Sequence, residues 1–259
     1  MKVVIFAGGL GTRISEETEV RPKPMVEIGG KPILWHIMKI YSHYSFNDFI
    51  ICLGYKGYII KEYFMNYFLH NSDIRIDLEN NHMEVLGTRA ENFKVTLVET
   101  GLNTKTAGRL QQIEKYIGND DFLLTYGDGV SDVNIDELVA FHKKHNRIAT
   151  VTSVQPDARF GDMDITNDSL VNAFREKSKV DAKWINGGFF VLKPEVFNYL
   201  QKDMADIMWE EEPLEKITSD KQMVAYKHNG FWKCMDALRD KIELNELWES
   251  GKAPWKIWR

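Results

Sequence analysis

Cysteine is scarce in this chain. Cys52 and Cys234 are the only two in 259 residues, and no CxxC pair occurs, so a disulfide framework is excluded. Cys52 sits in the apolar run "FIICLG" and reads as a buried small hydrophobe. Long apolar runs are missing too. None approaches the ~20 residues of a membrane span, so no membrane partner is expected. The opening "MKVVIFAGG" has no n-region, long h-region or cleavage site of a signal peptide, and the expected location is cytoplasmic. Positive charge is also in deficit. A formal net charge of −5 argues against nucleic acid as a partner. Anionic substrates would be drawn by local cations. None of the seven histidines shows a metal-ligand spacing, and His142 with His145 lies on a charged helix face, so all are read as structural or surface groups. Repeats, low-complexity tracts and Pro/Ser linkers are absent, and a single domain over 1–259 is expected.

What is present is an ordinary globular composition, 44% hydrophobic and 27% charged, with material for one large core. "VVIFA" at residues 3 to 7 is a continuous apolar run, which suits a strand buried on both faces. "KPILWHIMKIYSHY" follows with helical spacing and Pro32 near its start, where a missing N–H is harmless. "DFIICLG", "KGYIIKEYFMNYFL", "KVTLVET", "GRLQQIEKYI", "DFLLTYGDG", "NIDELVAFHKKH" and "IATVTSV" continue the alternation to about residue 155. This rhythm predicts an α/β fold with a doubly wound, mostly parallel mixed sheet, in which ligands bind beyond the carboxyl ends of the strands. Beyond residue 155, "FGDMDITNDSLVNAFREK" and "INGGFFVLKP" predict shorter strands in a smaller antiparallel or mixed extension. Residues 71 to 92 are polar and weakly periodic, as a hairpin or a mobile loop would be.

The stretch "AGGLGTRISEETEVRPKP", residues 7 to 24, carries the chemistry. A Walker A loop needs GxxxxGK[ST], and no such lysine follows. A dinucleotide fingerprint needs GxGxxG, but the series Gly9, Gly11 ends on Ile14. A glycine-rich turn without a ligand remains open for "GGxG" alone. The prolines on both sides of Lys23 restrict the backbone and aim its ammonium. With the planar fork of Arg13 and uncovered N–H groups, they make an anion clamp. Asp128 in "LLTYGDG" is either an Asp-Gly turn residue or a carboxylate at a strand end, suited to Mg²⁺ beside phosphates. "FREKSK" with Glu176 and Lys177 reads by itself as a solvated charge run.

The opening block, GGxGTR followed by PKP, resembles the signature of the sugar-1-phosphate nucleotidylyltransferase family. "SEET", "GYKGYIIKEYF", "TYGDGVSDVNI", "INGGFFVL", "FWKCMDALRDK" and "LWESGKAPWKIW" resemble its branch that uses CTP and glucose 1-phosphate, over nearly the whole chain. The resemblance implies a Rossmann-like nucleotidyltransferase fold, with a nucleotide-binding core at about 1–155 and a sugar-phosphate-binding part at about 156–259. It implies a nucleotide site of Phe6, Ala7, Gly8, Gly9, Leu10, Gly11, Thr12, Arg13, Lys23, Thr104, Arg109 and Gly127. Mg²⁺ would be held by Asp128 and Asp236, with Asp240 the competing candidate, read as structural. Arg13, Lys23, Asp128 and Asp236 would be the catalytic set. On the sugar-phosphate side, Glu176 would accept sugar hydroxyls, Lys177 would meet the phosphate, and Asn186 and Gly187 would approach the ring. A homo-oligomer is expected on the same ground.

Three departures stand out. Ala107 occupies a place where relatives commonly have glycine, Cys234 one where proline is common, and Ala237 one where threonine is. None removes a charged group. The rival readings are a related enzyme using UTP or dTTP, and a catalytically silent regulatory subunit that binds a nucleotide sugar.

Overall fold

The computed structural model describes residues 1–156, 162–165, 170–175, 183–200 and 203–258. Its centre is a seven-stranded sheet. From one edge to the other the strands are Met223–His228, Ala149–Val154, Ile185–Leu192, Phe122–Tyr126, Val3–Ala7, Asp48–Leu53 and Lys94–Glu99. All neighbours are parallel except Ile185–Leu192, which runs antiparallel to both flanking strands.

Side chains alternate across a strand, so each central strand feeds two cores. Val3, Ile5 and Ala7 face a cluster completed by the helices Ile33–His43, Ile135–His145 and Leu238–Glu249. Val4 and Phe6 face the opposite cluster, which includes Leu110 of the helix Thr106–Gln112 and Ile217 of Glu212–Ser219. Both faces being covered explains why "VVIFA" and "DFIICL" read as unbroken apolar runs. Cys52 is among these buried residues, as a free thiol.

The register places the functional edge. Val3 pairs with both Phe49 and Leu123, so Ala7, Leu53 and Tyr126 all end at one side of the sheet. The antiparallel strand brings its beginning to that same side, because Leu192 pairs with Phe122 and Phe190 with Leu124. Asn186 and Gly187 therefore arrive where the glycine loop and Asp128 depart.

Ile185–Leu192 thus lies inside the central sheet. Asp162–Ile165 and Val171–Arg175 pair as a separate two-stranded antiparallel ribbon. Residues 71 to 92 form a hairpin, with Ser72–Asp77 paired to His82–Thr88. Its apolar side chains Ile76, Leu78 and Leu86 are exposed. Among the described residues, no helix is long and apolar enough to cross a membrane.

The C-terminal tryptophans close on the core. Trp248, Trp255 and Trp258 surround the imidazole of His36, with ring centroids at 4.6, 6.2 and 6.2 Å. His36 and His142 are both fully buried, so they belong to the structural half of the sequence expectation.

Candidate active site

A cavity of about 550 Å³ opens at the carboxyl edge of the sheet, between the glycine loop, residues 102–106 and the turn after Tyr126. Phe6, Ala7, Gly8, Gly9, Leu10, Gly11, Thr12, Arg13, Lys23, Thr104, Arg109 and Gly127 all line it, as do Asp128 and Asp236.

Lys23 opens a 3-10 turn, Lys23–Met25, entered from extended Pro22. Its ammonium lies between two carboxylates, 2.7 Å from Asp128 Oδ2 and 2.8 Å from Asp236 Oδ1. Burial by itself disfavours the ammonium, but Asp128 and then Asp236 outweigh it and push the Lys23 pKa above its ordinary value. The reverse holds at Asp236. Burial raises its pKa, while the Lys23 hydrogen bond and charge, helped by Arg13, bring the net below the usual carboxylate range. Lys23 is therefore a cation and Asp236 an anion at neutral pH. Arg13 reaches Asp236 Oδ2 at 3.6 Å with its side chain 78% exposed, so most of its fork faces solvent at the cavity mouth.

The backbone couples the two aspartates, which no local sequence feature does. Gly129–Ser131 pairs antiparallel with Trp232–Cys234, and the Met235 N–H donates to the Asp128 carbonyl at 2.8 Å. Asp240 stands behind this pair. It is 2% exposed, and its Oδ2 accepts from the N–H groups of Asp236 and Ala237 at 3.0 and 2.9 Å. That caps the start of Leu238–Glu249 and orients Asp236. Asp240 is structural.

Ligand atoms of Asp128, Asp236 and Cys234 lie within 4.8 Å of one another. Two carboxylates at the edge of this cavity are the hard oxygen donors that Mg²⁺ takes. The Cys234 thiol is not such a donor. Burial, and then the charge of Asp128, push its pKa up and keep it protonated. The donor set fits Mg²⁺ through the aspartates, with Lys23 as their counter-charge.

Arg109 lies beneath the glycine loop. It is 3% exposed and donates to Leu53 O (2.9 Å), Thr100 Oγ1 (2.6 Å), Gly8 O (3.0 Å) and Leu102 O (3.4 Å). Its guanidinium thereby ties three strand ends together. A Cβ on Gly8 would come within 2.1 Å of it, which is why that position has no side chain. The departure at Ala107 is accommodated one residue later. The close approach falls at Gly108, where a Cβ would lie 2.8 Å from Ala205 Cα and Met204 O.

On the other side of Tyr126, Asn186 is exposed at the start of its strand. It donates to the Tyr126 hydroxyl at 3.1 Å and accepts from Gly188 N–H at 2.8 Å. Gly187 O accepts from Trp232 Nε1 at 2.7 Å. Glu176 and Lys177 lie outside the described residues. Sequence reasoning missed Tyr126, Thr106, Met208 and Glu210. Tyr126 directly precedes Gly127–Asp128, a signal that was available. Glu210 sits in "MWEEEP", where nothing distinguishes it from its acidic neighbours.

The family model described as nucleotidyl transferase matches residues 2–249. The chain is 55% identical over 259 residues to a glucose-1-phosphate cytidylyltransferase of Salmonella typhimurium, covering 100% of both chains. It is 46% identical over 258 residues to a probable glucose-1-phosphate cytidylyltransferase of Bacillus subtilis, again covering 100% of both. The fold is similar to that of a putative glucose-1-phosphate thymidylyltransferase from Bacillus anthracis, with a TM-score of 0.71 at 18% identity over 100% of this chain and 98% of that one. With a matched glycine loop, a lysine held between two aspartates and full-length likeness to curated relatives, the chain belongs to the nucleotidyl transferase family.

Proposed function

We propose that the protein transfers CMP from CTP to α-D-glucose 1-phosphate, giving CDP-glucose and pyrophosphate. The carrying observation is the convergence of Arg13, Lys23, Asp128 and Asp236 at the mouth of the glycine-lined cavity. The choice of CTP and glucose 1-phosphate follows the cytidylyltransferases that the chain resembles over its full length.

In the proposed reaction a phosphate oxygen of glucose 1-phosphate attacks the α-phosphorus of CTP in line. One P–O bond forms as the bond to the bridging oxygen of the β-phosphate breaks, and pyrophosphate leaves with that electron pair. The attacking oxygen is already ionised at neutral pH, so the site needs no general base. Catalysis then comes from alignment and charge stabilisation. Backbone N–H groups of the glycine loop cradle the triphosphate. Arg13, exposed at the mouth, stabilises the α-phosphate and the departing pyrophosphate. Lys23 holds the two aspartates in place and offsets the repulsion between two anionic substrates. Asp128 and Asp236 would hold Mg²⁺, which supplies charge neutralisation for the triphosphate and the entering phosphate. Glu176 and Lys177 are carried over from the family resemblance as the sugar hydroxyl and phosphate contacts, with Asn186 and Gly187 beside the ring. A homo-oligomer belongs to the same reading, and the exposed apolar side chains of the 72–88 hairpin support it.

A pyrophosphate-release assay with CTP, UTP, dTTP and GTP against glucose 1-phosphate tests the assignment. CTP is expected to lead UTP and dTTP in kcat/KM by at least about tenfold, since a pocket built for the cytosine amino group leaves a polar group unpaired against uracil. Equal turnover with UTP or dTTP would replace the cytidylyl assignment by another nucleotide and leave the family intact.

A further inference from the structure

One chain of side-chain hydrogen bonds runs from the nucleotide wall to the sugar side. Segment 203–211 packs against the start of the helix Thr106–Gln112, with Lys105 N–H donating to Ala205 O at 2.7 Å and Ala107 N–H to Ile207 O at 3.1 Å. Thr106 Oγ1 accepts from Trp209 N–H at 2.7 Å and donates to Glu210 Oε2 at 2.9 Å. The other oxygen of Glu210 accepts the hydroxyl proton of Tyr126. Tyr126 in turn accepts from Asn186 Nδ2, and Asn186 Oδ1 accepts from Gly188 N–H.

The direction of this chain follows from the hydrogen-bonding inventory of its members. A carboxylate only accepts, a phenol has one proton, and an amide has distinct donor and acceptor ends. With its single proton committed to Glu210, the Tyr126 oxygen is left as an acceptor, so the NH₂ end of Asn186 must face it. A phenol keeps its proton at neutral pH. Among the described residues, Asn186 is left with one N–H and one lone pair unused at its exposed end.

We infer that Glu210 is a positioning residue: acting through Tyr126, it fixes the orientation of the Asn186 amide and so the donor and acceptor offered to a sugar hydroxyl. Glu210 is absent from the cavity lining, whereas Tyr126 and Thr106 are part of it, so its effect is transmitted and not direct. The inference rests on the sugar-side reading of Asn186 given above.

The test is a steady-state comparison of KM for glucose 1-phosphate with KM for CTP. Glu210→Ala is expected to raise the first about tenfold, the size of one lost hydrogen bond, and to leave the second within about twofold. Glu210→Gln keeps an acceptor oxygen for Tyr126 and should hold both constants within about threefold of the parent. Tyr126→Phe should reproduce the Glu210→Ala pattern, and adding Glu210→Ala to it should cost less than about twofold more. Should Glu210→Ala fail to fold, Tyr126→Phe and Glu210→Gln carry the test. Equal rises in both constants, losses that multiply in the double variant, or no rise in Tyr126→Phe would overturn the inference. Asn186→Ala separates the two levels. If it leaves the glucose 1-phosphate KM unchanged, the sugar-side reading falls and the inference with it. If it raises that KM while Glu210→Ala does not, the inference alone falls.

Discussion

Lys23 and His36 are two basic groups taken out of water, and they end in opposite charge states. The Lys23 side chain is 13% exposed and His36 is fully buried. In both, burial is the largest influence and opposes the cation. At Lys23, Asp128 and Asp236 reverse it and the ammonium persists. At His36 the surroundings are tryptophan rings, and burial drives the pKa down to about 4, against the opposing effect of the Ile28 carbonyl.

The partners of His36 match its neutral form. One ring nitrogen lies 2.8 Å from Ile28 O and donates to it, while the other accepts from Trp255 Nε1 at 3.4 Å. Burial opposes the cation at both sites, and the outcome turns on whether the neighbours outweigh it: two carboxylates do at Lys23, and a carbonyl does not at His36. The glycine-loop pole is arranged around a retained charge, and the C-terminal pole excludes one.

The contrast is broken most severely at the glycine-loop pole. Asp128→Asn and Asp236→Asn are each expected to cut kcat by roughly 10²-fold or more, on the scale of losing one electrostatic contact to the transition state. The double variant should lose much less than the product of the two, because residues that act as a unit are non-additive. Higher Mg²⁺ should partly restore each single variant, and calorimetric Mg²⁺ binding should weaken in step. Full activity in Asp236→Asn would remove it from the catalytic set.

Next in size is the pH dependence at the C-terminal pole. The folded pKa of His36, about 4, lies below its unfolded value of 6.5, so the unfolded chain binds the proton first as the pH falls. The stability contribution is complete above pH 6.5 and lost as the pH drops toward 4. At about 1.4 kcal/mol per pKa unit, the loss is about 3 kcal/mol. Urea unfolding at pH 7 and pH 4 should show the wild-type protein losing about that much more than His36→Gln. His142 shares the window, since burial and then His145 lower its pKa to about 4 as well, and it should account for part of the slope that His36→Gln retains. Equal slopes in the two proteins would show that His36 does not titrate differently on folding.

Trp255→Phe is the smallest perturbation. It keeps an aromatic ring against His36 but removes the long N–H donor bond and part of a fully buried ring, and about 1–2 kcal/mol of stability at pH 7 should go with it. No change in the urea midpoint would mean that ring packing alone holds the imidazole.

Local features are legible in the chain itself. An unbroken "VVIFA" requires apolar cover on both faces, a glycine loop leaves N–H groups open, and prolines around Lys23 stiffen its turn. Each depends only on residues close in sequence, and so does the alternation of strands and helices. The resemblance named Asp128 and Asp236 as a pair, but not what joins them. Lys23 is separated from the two aspartates by 105 and 213 positions, and their contact exists only because level strands and the ribbon after Asp128 bring them together.

Tertiary placement also decided the parts that sequence reasoning left open or missed. Arg109, expected from the sequence only as a nucleotide contact, also braces the loop because three strand ends converge on it. Asp240 is a cap because its carboxylate meets two N–H groups at a helix start. His36, one of seven histidines with no distinguishing pattern, becomes a neutral core group because a tail more than two hundred residues away folds over it. Glu210 gains its place through Tyr126 and Thr106, 84 and 104 positions distant. Residue type and short-range spacing determine which chemistry each side chain can perform. Long-range packing alone decides its charge state and partners, because desolvation and Coulomb forces act through space and not along the chain.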